Sequence, residues 1–269
     1  MGRILLLLLS IALSLNPLRA QDVLPSTPAG GKSQLKYFID QELIYPDIDI
    51  QSKTEGSCGL KYYVNEKGQI SQVILLNKVS PECDQETLRI FNMIEWEPAT
   101  KIGIPVADSG IFEIEFNLKK YAKLCRKRGY TLHFYPYEPV DSSGIIYYYR
   151  NLDKMPTPVF TNPAINLAGY IAANLKYPDA AIKQNLSGTV KLGFIVEPHG
   201  KISNLRILNS LGAGCSEEAI RLVRLIKWMP GIKNDLAVRT RMSISINFSL
   251  ESGPEGNFNP NIKSSYGGY

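Results

Sequence analysis

The chain has 269 residues, 44% of them hydrophobic and 20% charged, with a formal net charge of +5. That suits a folded chain of one large domain or two small ones, and the charge is too mild to argue for a nucleic-acid surface. Zinc is not expected either: there is no C-x-x-C pair, and the only two histidines, His133 and His199, lie far apart in the sequence.

In chain order, the opening MGRILLLLLSIALSLNPLRA places Arg3 before an apolar run from Ile4 to about Leu15, then Pro17 and the small Ala20. This layout predicts a secretory signal peptide over residues 1–20 and an exported, periplasmic protein. The run is shorter than the roughly 20 apolar residues of a spanning helix. An uncleaved membrane anchor is the alternative, and only then would the chain associate with a membrane. Loss of Arg3 and Arg19 lowers the net charge from +5 to +3. Export permits disulfides among Cys58, Cys83, Cys125 and Cys215.

The body of the chain is a repeat. Tyr45-Pro46-Asp47 recurs as Tyr177-Pro178-Asp179, an offset of 132, and holding that offset aligns the remainder of the two copies without a gap. Gly56 meets Gly188, Val64 meets Val196, Gly68 meets Gly200, and Ile70-Ser71 meets Ile202-Ser203. Cys83, Glu86, Arg89, Trp96 and Pro98 meet Cys215, Glu218, Arg221, Trp228 and Pro230. Roughly a third of the positions from Tyr45 to Leu118 are identical to their counterparts. The reading is a first domain over 21–118, a basic helix and aromatic-rich linker over 119–158, a second domain over 159–250, and a flexible tail over 251–269.

Each unit predicts the same elements. An amphipathic helix runs into Tyr-Pro, where proline pushes its predecessor out of the helical region. A hairpin comes after it, turning at Glu66-Lys67-Gly68 in the first copy and Pro198-His199-Gly200 in the second. A helix is next, with Asp84 or Ser216 as its N-cap and Glu86, Glu217 and Glu218 in its first turn. Ala219, Leu222, Val223 and Ile226 repeat at helical spacing, and Pro230 is expected to end that helix. Last is a strand in which Met242, Ile244, Ile246 and Phe248 alternate with Arg241, Ser243, Ser245 and Asn247. Such alternation predicts a sheet with one buried and one wet face. The fold class is α+β: two tandem small domains, each an antiparallel sheet of about three strands covered on one face by helices.

The basic side chains Lys119, Lys120, Lys123, Arg126, Lys127 and Arg128 read as a solvated helix face, or as a contact for an acidic envelope polymer. In the linker, aromatic runs flank Asp141-Ser142-Ser143-Gly144, which suggests a hairpin; its row of tyrosines reads as packing one domain on another, with sugar binding or ligand stacking as the alternative. The tail is rich in Gly, Asn and Ser.

Cys215 is the sharpest catalytic candidate, since a thiol at a helix N-terminus favours the thiolate. Glu217 and Glu218 oppose that charge, however, and the first unit keeps its cysteine with no histidine beside it. The chain is therefore read as no enzyme, with no cofactor and no metal, its cysteine helix being structural. Cys58 and Cys83 are a candidate disulfide, since a strand start and a helix start could come within reach.

Taken together, "YP", "GTVKLGFIVEPHGKI", "GCSEEAIR", "WMPG" and the final "ISINFSL" resemble the C-terminal domain of TonB, over about Asn162 to Leu250. The first unit, about Gly30 to Leu118, resembles it less closely, with Asp84-Gln85-Glu86-Thr87 where the family prefers an acidic pair and alanine. The resemblance implies a periplasmic binding module that takes a short "box" peptide of a TonB-dependent outer-membrane transporter, or another envelope protein, as an added strand. The receiving edge carried over here is Val238 to Leu250, with Arg239, Arg241, Ser243, Ser245 and Asn247 as partner-binding residues and Ala107 to Leu118 as the counterpart. No proline-rich spacer follows the leader, and the leader lacks a histidine for coupling to a motor. A soluble adaptor is therefore favoured over a membrane-anchored energy transducer, with an envelope-polymer scaffold as a further alternative.

Overall fold

A computed structural model describes residues 23–162 and 164–250, and the backbone of 265–267. The leader and most of the tail lie outside the described residues. In the first unit, α1 (Gly31–Glu42) and α2 (Asp47–Ser52) precede the hairpin β1 (Gly56–Val64) and β2 (Ile70–Asn77). Then come α3 (Pro81–Asn92) and β3 (Asp108–Phe116), giving an antiparallel sheet of order β2-β1-β3. The basic helix α4 (Leu118–Arg128) is next, capped by Asn117, whose side chain accepts from Lys120 N at 2.9 Å.

The second unit repeats the plan with α5 (Leu167–Asn174), α6 (Asp179–Lys183), β5 (Gly188–Val196), β6 (Ile202–Asn209), α7 (Cys215–Leu225) and β8 (Leu236–Phe248). Here β4 (Ile146–Tyr148) comes from the linker, β7 (Gly231–Lys233) from the approach to β8, and β9 (Ser265–Gly267) from the tail. Register is repeated as well as order. Gly56 pairs with Phe116 and Gly188 with Phe248; Leu60 pairs with Phe112 and Leu192 with Ile244.

The shared motif residues explain this identity physically. Glu86 accepts from Ile44 N at 2.8 Å, and its counterpart Glu218 from Lys176 N at 2.6 Å. Arg89 and Arg221 each hold that glutamate through Nε at 2.7 Å, so helix and Tyr-Pro corner are clamped together. Both tyrosines then donate to a backbone carbonyl at 2.5 Å, Tyr45 to Thr54 and Tyr177 to Leu186. In each hairpin turn the glycine adopts positive φ and sits against the tryptophan carbonyl, where a Cβ would overlap Trp96 O or Trp228 O. Two cores result, one around Tyr45, Leu60, Phe91 and Phe116, the other around Ile171, Leu192, Phe194 and Phe248. Each fully buried side chain of this size contributes about 1.5–3 kcal/mol.

Several local expectations need correction. The cap of α3 is Ser80, which accepts from Cys83 N at 3.0 Å, and α7 starts after Gly214 in a left-handed conformation. Asp84 accepts from Val79 N at 3.0 Å from within the first turn, and Ser216 meets Ser210. Neither is the cap, because each helix starts before it. Helix α7 ends at Leu225, five residues short of Pro230, since Lys227–Met229 pairs as a strand with Thr157–Val159. The linker forms no hairpin: Asp141 caps its own turn by accepting from Ser143 N at 2.9 Å, and β4 lies parallel on β8. Three residues of the tail form a strand.

The largest departure concerns the wet face. In the second unit the sheet face turned away from α7 is covered, with Glu197, Ser203, Asn204, Arg239 and Ser243 buried. The first unit covers it. Asn204, in the left-handed region at φ 50°, donates to Met93 O at 2.9 Å and accepts from Glu95 N at 2.7 Å. Arg239 donates to the same Met93 carbonyl, and Arg241 pairs with Glu95. On the other side of the joint, Arg224 lies 3.7 Å over the ring of Tyr37 and donates to Gln34. The outer face of the first sheet, by contrast, leaves Ile74, Leu76 and Ile111 exposed.

Candidate partner-binding edge

Strand β8 is the longest of the described residues, at 13 residues. One side of Thr240–Phe248 pairs with β5 throughout. The opposite side is met by three further segments of the chain in succession. Val140 bridges Ala237 in parallel, and Ala237 N donates to Pro139 O at 2.8 Å. Then β4 pairs in parallel with Arg239–Arg241, and β9 pairs antiparallel with Ser243–Ser245.

The five residues expected on this edge divide accordingly. Arg239 is 6% exposed and binds Glu197 through Nε at 2.9 Å; Glu197 is fully buried and also accepts from Ser203. Arg241 is engaged with Glu95, and its guanidinium lies 5.8 Å from the ring centre of Tyr148. Ser243 is buried, whereas Ser245 and Asn247 are half-buried, Asn247 within reach of Thr189 Oγ1 at 3.3 Å. The two arginines hold the units together, and Ser245 and Asn247 are the half-buried positions among the five.

The four cysteines are free thiols, so the Cys58–Cys83 disulfide is absent here. Cys83 Sγ lies 3.3 Å from Asp49 Oδ2 and donates to it. Burial pushes the Cys83 thiol up to about 12 and the Cys58 thiol up to about 11. Cys215 is likewise raised, by burial first and Glu217 second, which is the opposite of what a nucleophilic thiolate requires.

A second constellation escaped sequence reasoning altogether. Glu42 at the end of α1, His133 in the linker and His199 in the second hairpin turn meet at the joint between the units. Glu42 Oε1 lies 2.8 Å from His199 Nε2 and Oε2 lies 3.4 Å from His133 Nε2, all three side chains being at most 4% exposed. The two imidazoles stack at 4.1 Å with planes 10° apart. Burial pushes Glu42 up, but the histidines outweigh it and hold the carboxyl well below the usual range. Burial pulls His199 down, and Glu42 outweighs that, raising it.

Distance in sequence was therefore the wrong reason to doubt a metal: the fold brings both histidines and a carboxylate within 4.8 Å. The geometry gives a better reason. Near-parallel rings hold their nitrogen lone pairs in parallel planes instead of converging on one point. The Arg89 guanidinium, 3.5 Å from Glu42, adds a competing cation. The arrangement is that of a buried carboxylate neutralising imidazole.

Among the described residues no helix is long and apolar enough to cross a membrane. The family model for the Gram-negative bacterial TonB protein C-terminal matches residues 41–118 and again 173–250, the two units found from the repeat. No curated protein matches the chain.

Proposed function

The chain belongs to the Gram-negative bacterial TonB protein C-terminal family, and on that premise we propose that it is a periplasmic, non-enzymatic protein-interaction module. It takes an extended segment of an outer-membrane transporter, or of another envelope protein, as an added strand on β8. Ser243, Ser245 and Asn247 face that segment, while Arg239 and Arg241 fix the strand to the first unit. One observation carries this reading: the outer edge of β8 accepts strands, in both directions, from separate parts of its own chain. Backbone hydrogen bonding on such an edge needs no particular side chain, which leaves selectivity to the residues flanking it. The half-buried Ser245 and Asn247 supply polar contacts there.

A photocrosslinking amino acid at Ser245 or Asn247, in cells, is expected to capture an outer-membrane transporter or a defined envelope protein. Capture of non-specific background alone, with the protein folded and abundant, would sink the proposal. The same label at Lys123 on the exposed face of α4 is the control and is expected to give background.

A further inference from the structure

Helix α4 lies past the first segment matched to the family, which ends at the helix's first residue, Leu118. At about 100° per residue, Lys119, Lys120, Lys123, Arg126 and Lys127 fall within roughly 120° of its circumference. All five are exposed. The opposite arc is committed to the protein. Tyr121 is buried, Leu124 and Cys125 pack on the first core, and Arg128 turns inward to the Asp40 and Gln41 carbonyls, 3.2 Å from each. The sequence holds 30 basic and 25 acidic side chains, so the five exposed cations equal its entire positive excess. Of these five only Lys120 has an ion-pair partner among the described residues, Glu115.

Beside this stripe runs a groove of about 400 Å³ between α1, α4 and β3. Lys36, Lys120, Lys123 and Lys127 line it together with the apolar Ile39, Leu43 and Leu124. Acidic groups line it too. Asp40 holds Lys36 at 3.1 Å and Glu115 holds Lys120, which leaves Lys123 and Lys127 with Glu113 alone to offset them. The combination selects among anions. An acidic polysaccharide brings charge and nothing apolar for the groove, whereas a phospholipid brings a phosphate and acyl methylenes together.

We propose that the outer face of α4 docks the protein on an anionic phospholipid surface, its cations on the headgroups and the groove holding the acyl stem of one lipid. Because the apolar arc of α4 already faces the first unit, the helix does not sink into the bilayer as an interfacial helix does. The attraction is electrostatic, roughly fivefold in affinity for each cation near an anionic surface, and it fades within a Debye length. Such a contact concentrates an interaction module at a membrane face without a spanning helix.

Co-sedimentation of the full chain with vesicles tests this, comparing phosphatidylcholine alone with a mixture containing about one-third phosphatidylglycerol. The anionic vesicles should be bound at least about a hundredfold more tightly. A variant carrying Lys119→Gln, Lys123→Gln, Arg126→Gln and Lys127→Gln together should lose that preference. The leader is common to both proteins and creates no difference between them. A second variant, with Lys119→Arg, Lys123→Arg and Lys127→Arg, keeps the charge and should bind as the parent does, and unchanged urea midpoints show that both variants fold. Raising the ionic strength from about 0.1 M to about 1 M shortens the Debye length from roughly 10 to 3 Å and should release the protein. Monomeric dioctanoyl phosphatidylglycerol should bind at least about tenfold more tightly than glycerol phosphate, which has the charge without the chains. No preference for anionic vesicles, or one that survives the glutamine substitutions, overturns the docking face. Equal binding of the short-chain lipid and glycerol phosphate overturns the lipid in favour of a plain polyanion contact. Capture of one defined protein from a label at Lys123 in cells overturns it in favour of a protein partner. None of these outcomes depends on whether β8 receives a strand, so the two proposals stand or fall separately.

Discussion

Replacing Glu42 with glutamine keeps its shape and removes its charge, and three cations or potential cations face it. His199 Nε2 is at 2.8 Å, His133 Nε2 at 3.4 Å, and Arg89 Nη1 at 3.5 Å. Arg89 is 39% exposed, so solvent screens most of its share. His199 is almost fully buried, and Glu197 and Lys201 nearby act on it in opposite senses after Glu42. Breaking a buried pair by deleting one partner costs about 3–5 kcal/mol, and that is the loss expected for Glu42→Gln near pH 5.5.

The two directions of shift set the pH dependence. The carboxyl is depressed, so its stabilisation is present above the ordinary value of 4.5 and is lost as pH falls through the lower folded value. The imidazole of His199 is raised, so its stabilisation is complete below 6.5 and is lost as pH rises through the higher folded value. Above pH 6.5 the folded protein then binds more protons than the unfolded chain. Stability should fall by up to about 1.4 kcal/mol per pH unit for one proton until the folded value is passed. Urea titrations followed by tryptophan fluorescence at pH 5.5, 7.0 and 8.5 read both effects. In Glu42→Gln the decline above pH 6.5 should vanish. A variant that loses under 1 kcal/mol at pH 5.5 and keeps the wild-type pH profile would refute the joint as described.

Three other outcomes are expected. Arg239→Leu leaves the fully buried Glu197 without its guanidinium and should cost about 3–5 kcal/mol, while adding Glu197→Leu restores most of it, measured by urea denaturation. Gly200→Ala combines a positive φ with overlap on the Trp228 carbonyl and should cost about 2–4 kcal/mol, against about 1 kcal/mol for Gly129→Ala, which shares the positive φ but meets open space. With a thiol-reactive chromophore, Cys58, Cys83 and Cys215 should react only on unfolding, whereas the half-buried Cys125 reacts first; a reductant should leave the melting temperature unchanged.

The sequence by itself determined what repeats. Tyr-Pro corners, hairpin glycines, glutamate–arginine clamps and alternating strands are local patterns whose physics acts over a few residues, and their recurrence at a fixed offset gave both units and their register. Helix ends were legible only to a few residues: a short strand pair claimed Trp228 before Pro230 could act, and Ser80 and Gly214 supplied turns ahead of the expected caps. What only tertiary structure decided lies between units. Arg241 and Ser243 read as wet-face residues, because period-two alternation cannot say that a neighbouring domain will cover that face, and Asn204 and Arg239 carry no sign in the sequence that they bind that domain. Glu42, His133 and His199 stand in a helix, a linker and a turn, with no periodic signal connecting them. Nothing in β8's own residues foretold that its edge would be met by Ile146–Tyr148 of the linker and by Ser265–Gly267, because backbone pairing leaves no signature in the side chains it joins.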